Sequence, residues 1–308
     1  MLKTQIHTPI PFRCEEINAV RIAGVEHFDV NKVFDCGQSF RFDRVTDSVH
    51  EVEFAGVAHG KYISIACDEH DILIYNTDPE EYDRIWKAFL GLDRSYEEIN
   101  ESILSLSDNV TLKDAVQKAD GIRILRQNPW EAICSFIISQ NNNIPRIKKL
   151  ITSLCLACGD KLDTSAMAGH VADLHLSTEG HFFTFPPPER VLDLGISGLA
   201  ELKMGFRAKY IYDAAQKISG GEINFDYLET ADLEGGISHL CSVKGIGPKV
   251  ACCAILFGFG KLDAFPVDVW IKKATEKYFS ADFTPSMLGE YAGVAQQYLF
   301  YYERYLQK

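Results

Sequence analysis

The hydrophobic period of this chain changes once, near Pro79, and that change decides what kind of fold it can form. From about Asn18 to Thr77 the segments "SFRFDRV", "VHEVEFAGVA", "KYISIAC" and "ILIYNT" carry alternating or short apolar runs, the pattern of strands that bury a face. Gly60 and the "DEHD" segment supply turns between them. From Pro79 onward the period becomes helical, as in "EEYDRIWKAFLGL", and stays so nearly to Lys308. We therefore expect an α+β protein, with a twisted antiparallel sheet domain over residues 1–95 packed on a larger helical region over residues 96–308. Three prolines at 186 to 188 interrupt the helical part and favour an extended connection between helical layers. No internal repeat and no GxxxxGK[ST] phosphate loop occurs, so nucleotide hydrolysis has no support.

The chain's 308 residues, 46% of them hydrophobic, suffice for a sizeable core. No apolar run approaches the roughly 20 residues needed to cross a bilayer, and the start "MLKTQIHTPIPFRCEE" lacks the layout of a signal peptide. No membrane partner is expected. The expected location is the cytoplasm, with the nucleoid, in a prokaryote, or the nucleus in a eukaryote. Nine cysteines, an odd number in apolar contexts, suit buried or reactive thiols in a reducing compartment. Cys155 and Cys158 form one CxxC without a second pair or a histidine at zinc spacing, so a helix end is the preferred reading over a metal or redox site. The net charge of −12 opposes nonspecific binding to a polyanion. Any nucleic-acid contact must rely on basic groups and backbone amides gathered on one surface.

The richest stretch is "HLCSVKGIGPKVACCAILFGFG". An apolar helix ending near Val243 meets Gly245-Ile246-Gly247, then Pro248 and a second apolar helix, which reads as a helix-hairpin-helix at about residues 233–259. Gly245 and Gly247 let the backbone turn tightly and present amides at a helix start, where the dipole favours phosphate. Such a hairpin grips DNA backbone without reading sequence, although a plain helix connection explains a GxG turn equally well. Lys249 falls in the first turn of the second helix, where the dipole and partial burial favour a free, nucleophilic amine. For an isolated lysine a phosphate contact is the commoner role. Asp268, 19 residues on in "LDAFPVDVWIKKATEKYF", is placed as a helix N-cap, where its carboxylate is also poised to stabilise a developing positive charge.

Lys249 and Asp268 in "VKGIGPKVACC" and "AFPVDVW" closely resemble the helix-hairpin-helix, Gly/Pro-rich and Asp signature of DNA glycosylases. "DCGQSFRF", "GIRILRQNPWEAICSFIISQNNNIPRI", "KMGFRAKYI" and "EYAGVAQQYLF" resemble the 8-oxoguanine DNA glycosylase/lyase branch, in the family's order and over nearly the whole chain. The resemblance implies that Lys249 attacks the sugar C1′, expels the base and forms a Schiff base that then eliminates the 3′ phosphate, with Asp268 stabilising the cationic transition state. It makes Cys253 and Phe300 the slabs around the flipped base, and helical spacing puts Cys253 on the Lys249 face and Phe300 on the Gln296 face. Gln296 would meet the Watson–Crick edge, and the Gly37 carbonyl would accept N7–H of 8-oxoguanine. Asn141 would fill the gap left by the flipped nucleotide, Arg146 with Arg207 would address the estranged cytosine, and Phe206 would act as an aromatic wedge. The implied partner is double-stranded DNA containing an oxidised purine, bound by a monomer. No cofactor is required, and a structural monovalent or calcium ion on the carbonyls of Cys241, Val243 and Ile246 is compatible with the hairpin.

Three positions depart from the family pattern. Trp270 replaces a phosphate-contacting histidine, Pro145 stands in a loop where a smaller residue is expected, and Cys252 replaces an acidic residue, removing a charge partner near the base. Two further readings stand beside the main one: a related glycosylase for another damaged base, and a noncatalytic DNA-binding module. The absence of any cysteine after Cys253 argues against members with a C-terminal four-cysteine iron–sulfur cluster.

Overall fold

The computed structural model describes residues 9–14, 17–46, 48–163 and 182–307. Among these, the sheet is antiparallel in the order β1-β2-β6-β5-β4-β3, with β1 at Ile10–Cys14, β2 at Ile17–Ile22, β3 at Phe42–Arg44, β4 at Val52–Ala58, β5 at Lys61–Asp68 and β6 at Asp71–Tyr75. The β4–β5 turn is the pair His59-Gly60, both at positive φ (49° and 74°), the backbone of a two-residue hairpin that matches strand twist. The sheet begins before Asn18: β1 pairs with β2 from Ile10↔Arg21 to Cys14↔Ile17, a short hairpin that composition alone does not mark.

Both faces of the sheet are covered. Ile22, Phe54, Ile63, Ile65, Ile72 and Ile74 pack with Phe34, Tyr82, Trp86 and Phe89, and on the other side Ala55, Val57, Tyr62 and Tyr75 pack with Leu162 and Phe182. Phe34 belongs to a short helix, α1 (Val30–Phe34), set between β2 and β3. The helical run at 79–89 that supplies Tyr82, Trp86 and Phe89 includes one π turn.

The helical region follows with α2 (Tyr96–Leu106), α3 (Val110–Ala119), α4 (Pro129–Ser139), α5 (Ile144–Cys158), α6 (Pro188–Glu201), α7 (Ala208–Ser219), α8 (Phe225–Thr230), α9 (Leu233–Cys241), α10 (Pro248–Phe259), α11 (Val269–Tyr278) and α12 (Ala292–Tyr301). Its core centres on α10, which is apolar all round because α4 and α9 pack against it. The three prolines form an extended entry to α6, with Pro188 in its first turn, where a missing N–H costs nothing.

Buried polar groups tie the sheet to the helices. Arg123 donates to the carbonyls of Glu26, His27 and Gly91 and stacks on Tyr96 at 4.5 Å. Arg41, just before β3, faces Glu131 of α4 at 3.7 Å. Burial pushes the Glu131 carboxyl up and the Arg41 charge draws it back. These ties fix the loop after α1, which carries Gly37, against the helical region.

Cys155 and Cys158 close α5, with Gly159 as its cap. Burial pushes their thiols up to about 12 and about 11, away from the thiolate that redox or metal chemistry needs. Among the described residues no His/Cys/Asp/Glu group suits a metal ion, and no described helix is long and apolar enough to cross a membrane.

Candidate active site

Helices α9 and α10 enclose a tight turn at residues 242–247. Gly245 has φ +80°, and a Cβ there would lie 2.2 Å from the Tyr210 ring, so no side chain fits. Tyr210 in turn meets the Phe206 ring edge-on at 5.8 Å, and Phe206 is 43% exposed. The hairpin and the exposed aromatic are therefore two ends of one packed unit. Gly245→Ala is expected to lose about 2–4 kcal/mol of stability through left-handed strain and overpacking, read by denaturant unfolding. An unchanged midpoint would contradict this packing.

Pro248 opens α10 and Gly247 caps it, which sets Lys249 in the first turn, half-buried. Its ammonium lies 5.7 Å from the Phe136 ring centroid. One turn on, Cys253 is buried; burial pushes its thiol up, while the charge of Lys249 and a hydrogen bond from it pull it back. Asp268 caps α11, its Oδ1 accepting from the amides of Trp270 (3.0 Å) and Ile271 (2.8 Å). Gln296 and Phe300 sit one turn apart on α12, 4% and 8% exposed. The Gln296 Oε1 is buried without a hydrogen-bond partner among the described residues.

All of these line one cavity of about 630 Å³, together with Gly37, Asn141, Phe136, Phe257, Gln297, Trp270 and Arg304. Gly37, at φ +82°, lies so close to Phe300 that a Cβ would touch its ring at 3.7 Å. Loop and helix thus meet across 263 residues of chain to close one wall. Arg304 stacks over the outer side of the site, 5.3 Å from the Phe300 centroid. Phe136, Phe257 and Gln297 lie within the quoted segments without having been singled out, and Arg304 lies beyond them; tertiary packing brings the four to one cavity.

Asn141 is exposed at the mouth in the left-handed conformation, φ 48°. Arg207 lies behind that turn. It is 4% exposed, and its Nε and Nη2 donate to the carbonyls of Gln140 (3.0 Å from Nε) and Asn141 (3.0 Å from Nη2). Burial and then the like charge of Arg146 hold it below the ordinary arginine range. Arg207 therefore props the Asn141 turn from behind, and Arg146 is the exposed member of the pair.

Two departures take a different meaning in three dimensions. Pro145 lies in the first turn of α5, where Asn143 caps the helix, so it belongs to a helix start and not to a loop. Cys252 points away from the base cavity into a separate one of about 950 Å³ lined by Arg94, Asp232, Lys261 and Tyr291; the turn of roughly 100° between successive helical residues separates it from Cys253. It is no charge partner for the base. Trp270 does line the base cavity, with Lys273 5.7 Å from its ring centroid. At the hairpin, the Val243 carbonyl accepts from the Ile246 amide at 3.1 Å and the Lys217 ammonium donates to the Ser242 carbonyl. Neutral carbonyls such as those of Cys241, Val243 and Ile246 are of the ligand type that a monovalent or calcium ion takes.

The hairpin, with Lys249 in its second helix and the N-capping Asp268 lining the same cavity, is an arrangement of the helix-hairpin-helix class of base excision proteins. Residues 21–133 match the 8-oxoguanine DNA glycosylase N-terminal domain and residues 134–290 match the HhH-GPD superfamily of base excision DNA repair proteins. A curated N-glycosylase/DNA lyase of Saccharomyces cerevisiae is 34% identical over 214 residues, 66% of this chain and 53% of the yeast protein, so the match spans about half that relative's length. The structure of MBOgg1 in complex with a low-affinity DNA ligand superposes with a TM-score of 0.83 at 36% identity, covering 97% of this chain and 99% of that one. The Clostridium acetobutylicum 8-oxoguanine glycosylase/lyase, bound to duplex DNA with cytosine opposite 8-oxoG, gives 0.83 at 33% identity, with 98% and 100% coverage. The chain belongs to the 8-oxoguanine glycosylase branch of the HhH-GPD superfamily.

Proposed function

We propose that this chain excises 8-oxoguanine from duplex DNA and then nicks the abasic strand. The observation that carries the reading is the single cavity holding Lys249, Asp268, Gly37, Cys253, Gln296 and Phe300, drawn from both parts of the fold. A base swung out of the stack lies between Cys253 and Phe300. The unpaired Gln296 Oε1 requires a donor, since a buried acceptor left unmade is costly. A guanine-type edge meets this need with N1–H and N2–H. Gly37 then separates the lesion from guanine, because N7 of 8-oxoguanine carries a proton for the carbonyl and N7 of guanine carries a lone pair.

The Lys249 amine attacks C1′ as the C1′–N9 electron pair leaves with the base, and the proton lost from the attacking nitrogen balances the one the base takes up. The Asp268 carboxylate, fixed by two helix amides, stabilises the cationic sugar. The ring oxygen then leaves C1′ to give the Schiff base, loss of a C2′ proton expels the 3′ phosphate, and water frees Lys249. Around the lesion the hairpin amides hold phosphate, Asn141 fills the gap, Phe206 wedges the stack and Arg146 faces the opposite base. Arg207 supports Asn141 through its carbonyl. The protein acts on DNA as a monomer.

Mass spectrometry of bases released from duplexes carrying 8-oxoguanine, 3-methyladenine or no lesion tests the substrate. Release of 8-oxoguanine is expected, with guanine retained. Release of a methylated purine alone would overturn the assignment.

A further inference from the structure

We infer that Gln297 is a positioning residue for lesion recognition, holding the Gly37 turn at a fixed place over the base. This rests on the functional reading above, in which the Gly37 carbonyl reads N7–H. The Gln297 side chain, 3% exposed, donates from Nε2 to the Cys36 carbonyl at 3.0 Å, across 261 positions of sequence. It directly follows Gln296, so the group that meets the base edge and the group that holds the discriminating turn ride on one turn of α12.

The other side of Gly37 is held as firmly. Gln38 is fully buried; its Nε2 donates to the carbonyls of Val33 (2.9 Å) and Arg123 (2.8 Å), and its Oε1 accepts from the Leu125 amide (3.0 Å). Its own carbonyl accepts from Gln127 Nε2 at 2.8 Å, and the Gln127 amide donates to the Phe257 carbonyl of α10 at 2.7 Å. Gly37, at φ +82°, is thus the link between two clamped peptides, tied to α12 by Gln297 and to the lysine-bearing α10 through Gln127. Three buried glutamines are costly to place in apolar surroundings unless their bonds are all made. What they supply here is orientation: a carbonyl that distinguishes a proton from a lone pair must not turn away from it.

The test uses the full chain with Gln297→Met, a near-isosteric change that removes the donor, beside Gln127→Met, which releases the opposite clamp. Single-turnover excision of 8-oxoguanine is expected to fall about tenfold, the scale of one lost buried hydrogen bond. Nicking of a preformed abasic site, which has no base to read, stays within about twofold on the same scale of argument. A variant that keeps full 8-oxoguanine excision, or that loses both activities equally, overturns the inference; if one variant fails to fold, the other decides. A wild-type protein that nicks abasic DNA and leaves 8-oxoguanine in place overturns the substrate reading, and this inference with it.

Discussion

Replacing Lys249 by glutamine is expected to abolish strand nicking and to slow base release by about a thousandfold or more, the scale set by removing a nucleophile that acts with its partners as a unit. The fold should survive, because the half-buried amine forms no ion pair among the described residues and approaches the Phe136 ring at 5.7 Å. Single-turnover kinetics with intact and with preformed abasic duplexes separate the two steps. Loss of nicking with base release at the wild-type rate would show that water, and not the lysine, displaces the base.

Asp268→Asn should lower base release by about a hundredfold to a thousandfold while leaving the melting temperature nearly unchanged. Asparagine caps a helix about as well as aspartate, so the two amide bonds from Trp270 and Ile271 can be kept and only the charge is lost. Asp268→Ala removes the cap as well, and adds a stability loss of about 1 kcal/mol. Thermal unfolding measured beside the rates distinguishes the two contributions. An asparagine variant of full activity would mean that the aspartate is structural alone.

The readable part of this site was the part built from local rules. A GxG turn with proline after it sets a hairpin and a helix start, which puts Lys249 in a first turn and Asp268 at a cap; their catalytic roles came from the family resemblance. Cys253 and Phe300 share faces with Lys249 and Gln296 because helical spacing requires it. The same geometry also put Cys252 on another face, facing a second cavity.

What resisted reading was set by contacts between distant segments. The inward turn of Arg207 depends on carbonyls 66 and 67 positions away. Gln297 looks like one more polar residue in "AGVAQQYLF"; its signal is that two successive glutamines in an apolar helix cannot both face the base. Pro145 reads as loop stiffening until Asn143 is seen to cap the helix. The β1 hairpin, too short for a clear period, is fixed only by pairing with a strand that β6 already holds.

The most direct test is borohydride reduction of the purified protein with duplexes carrying 8-oxoguanine opposite each of the four bases, followed by peptide mapping of any trapped adduct. The account predicts a covalent adduct on Lys249, strongest opposite cytosine and missing from the glutamine variant. An adduct on another residue, or none on any of the four duplexes, would contradict it.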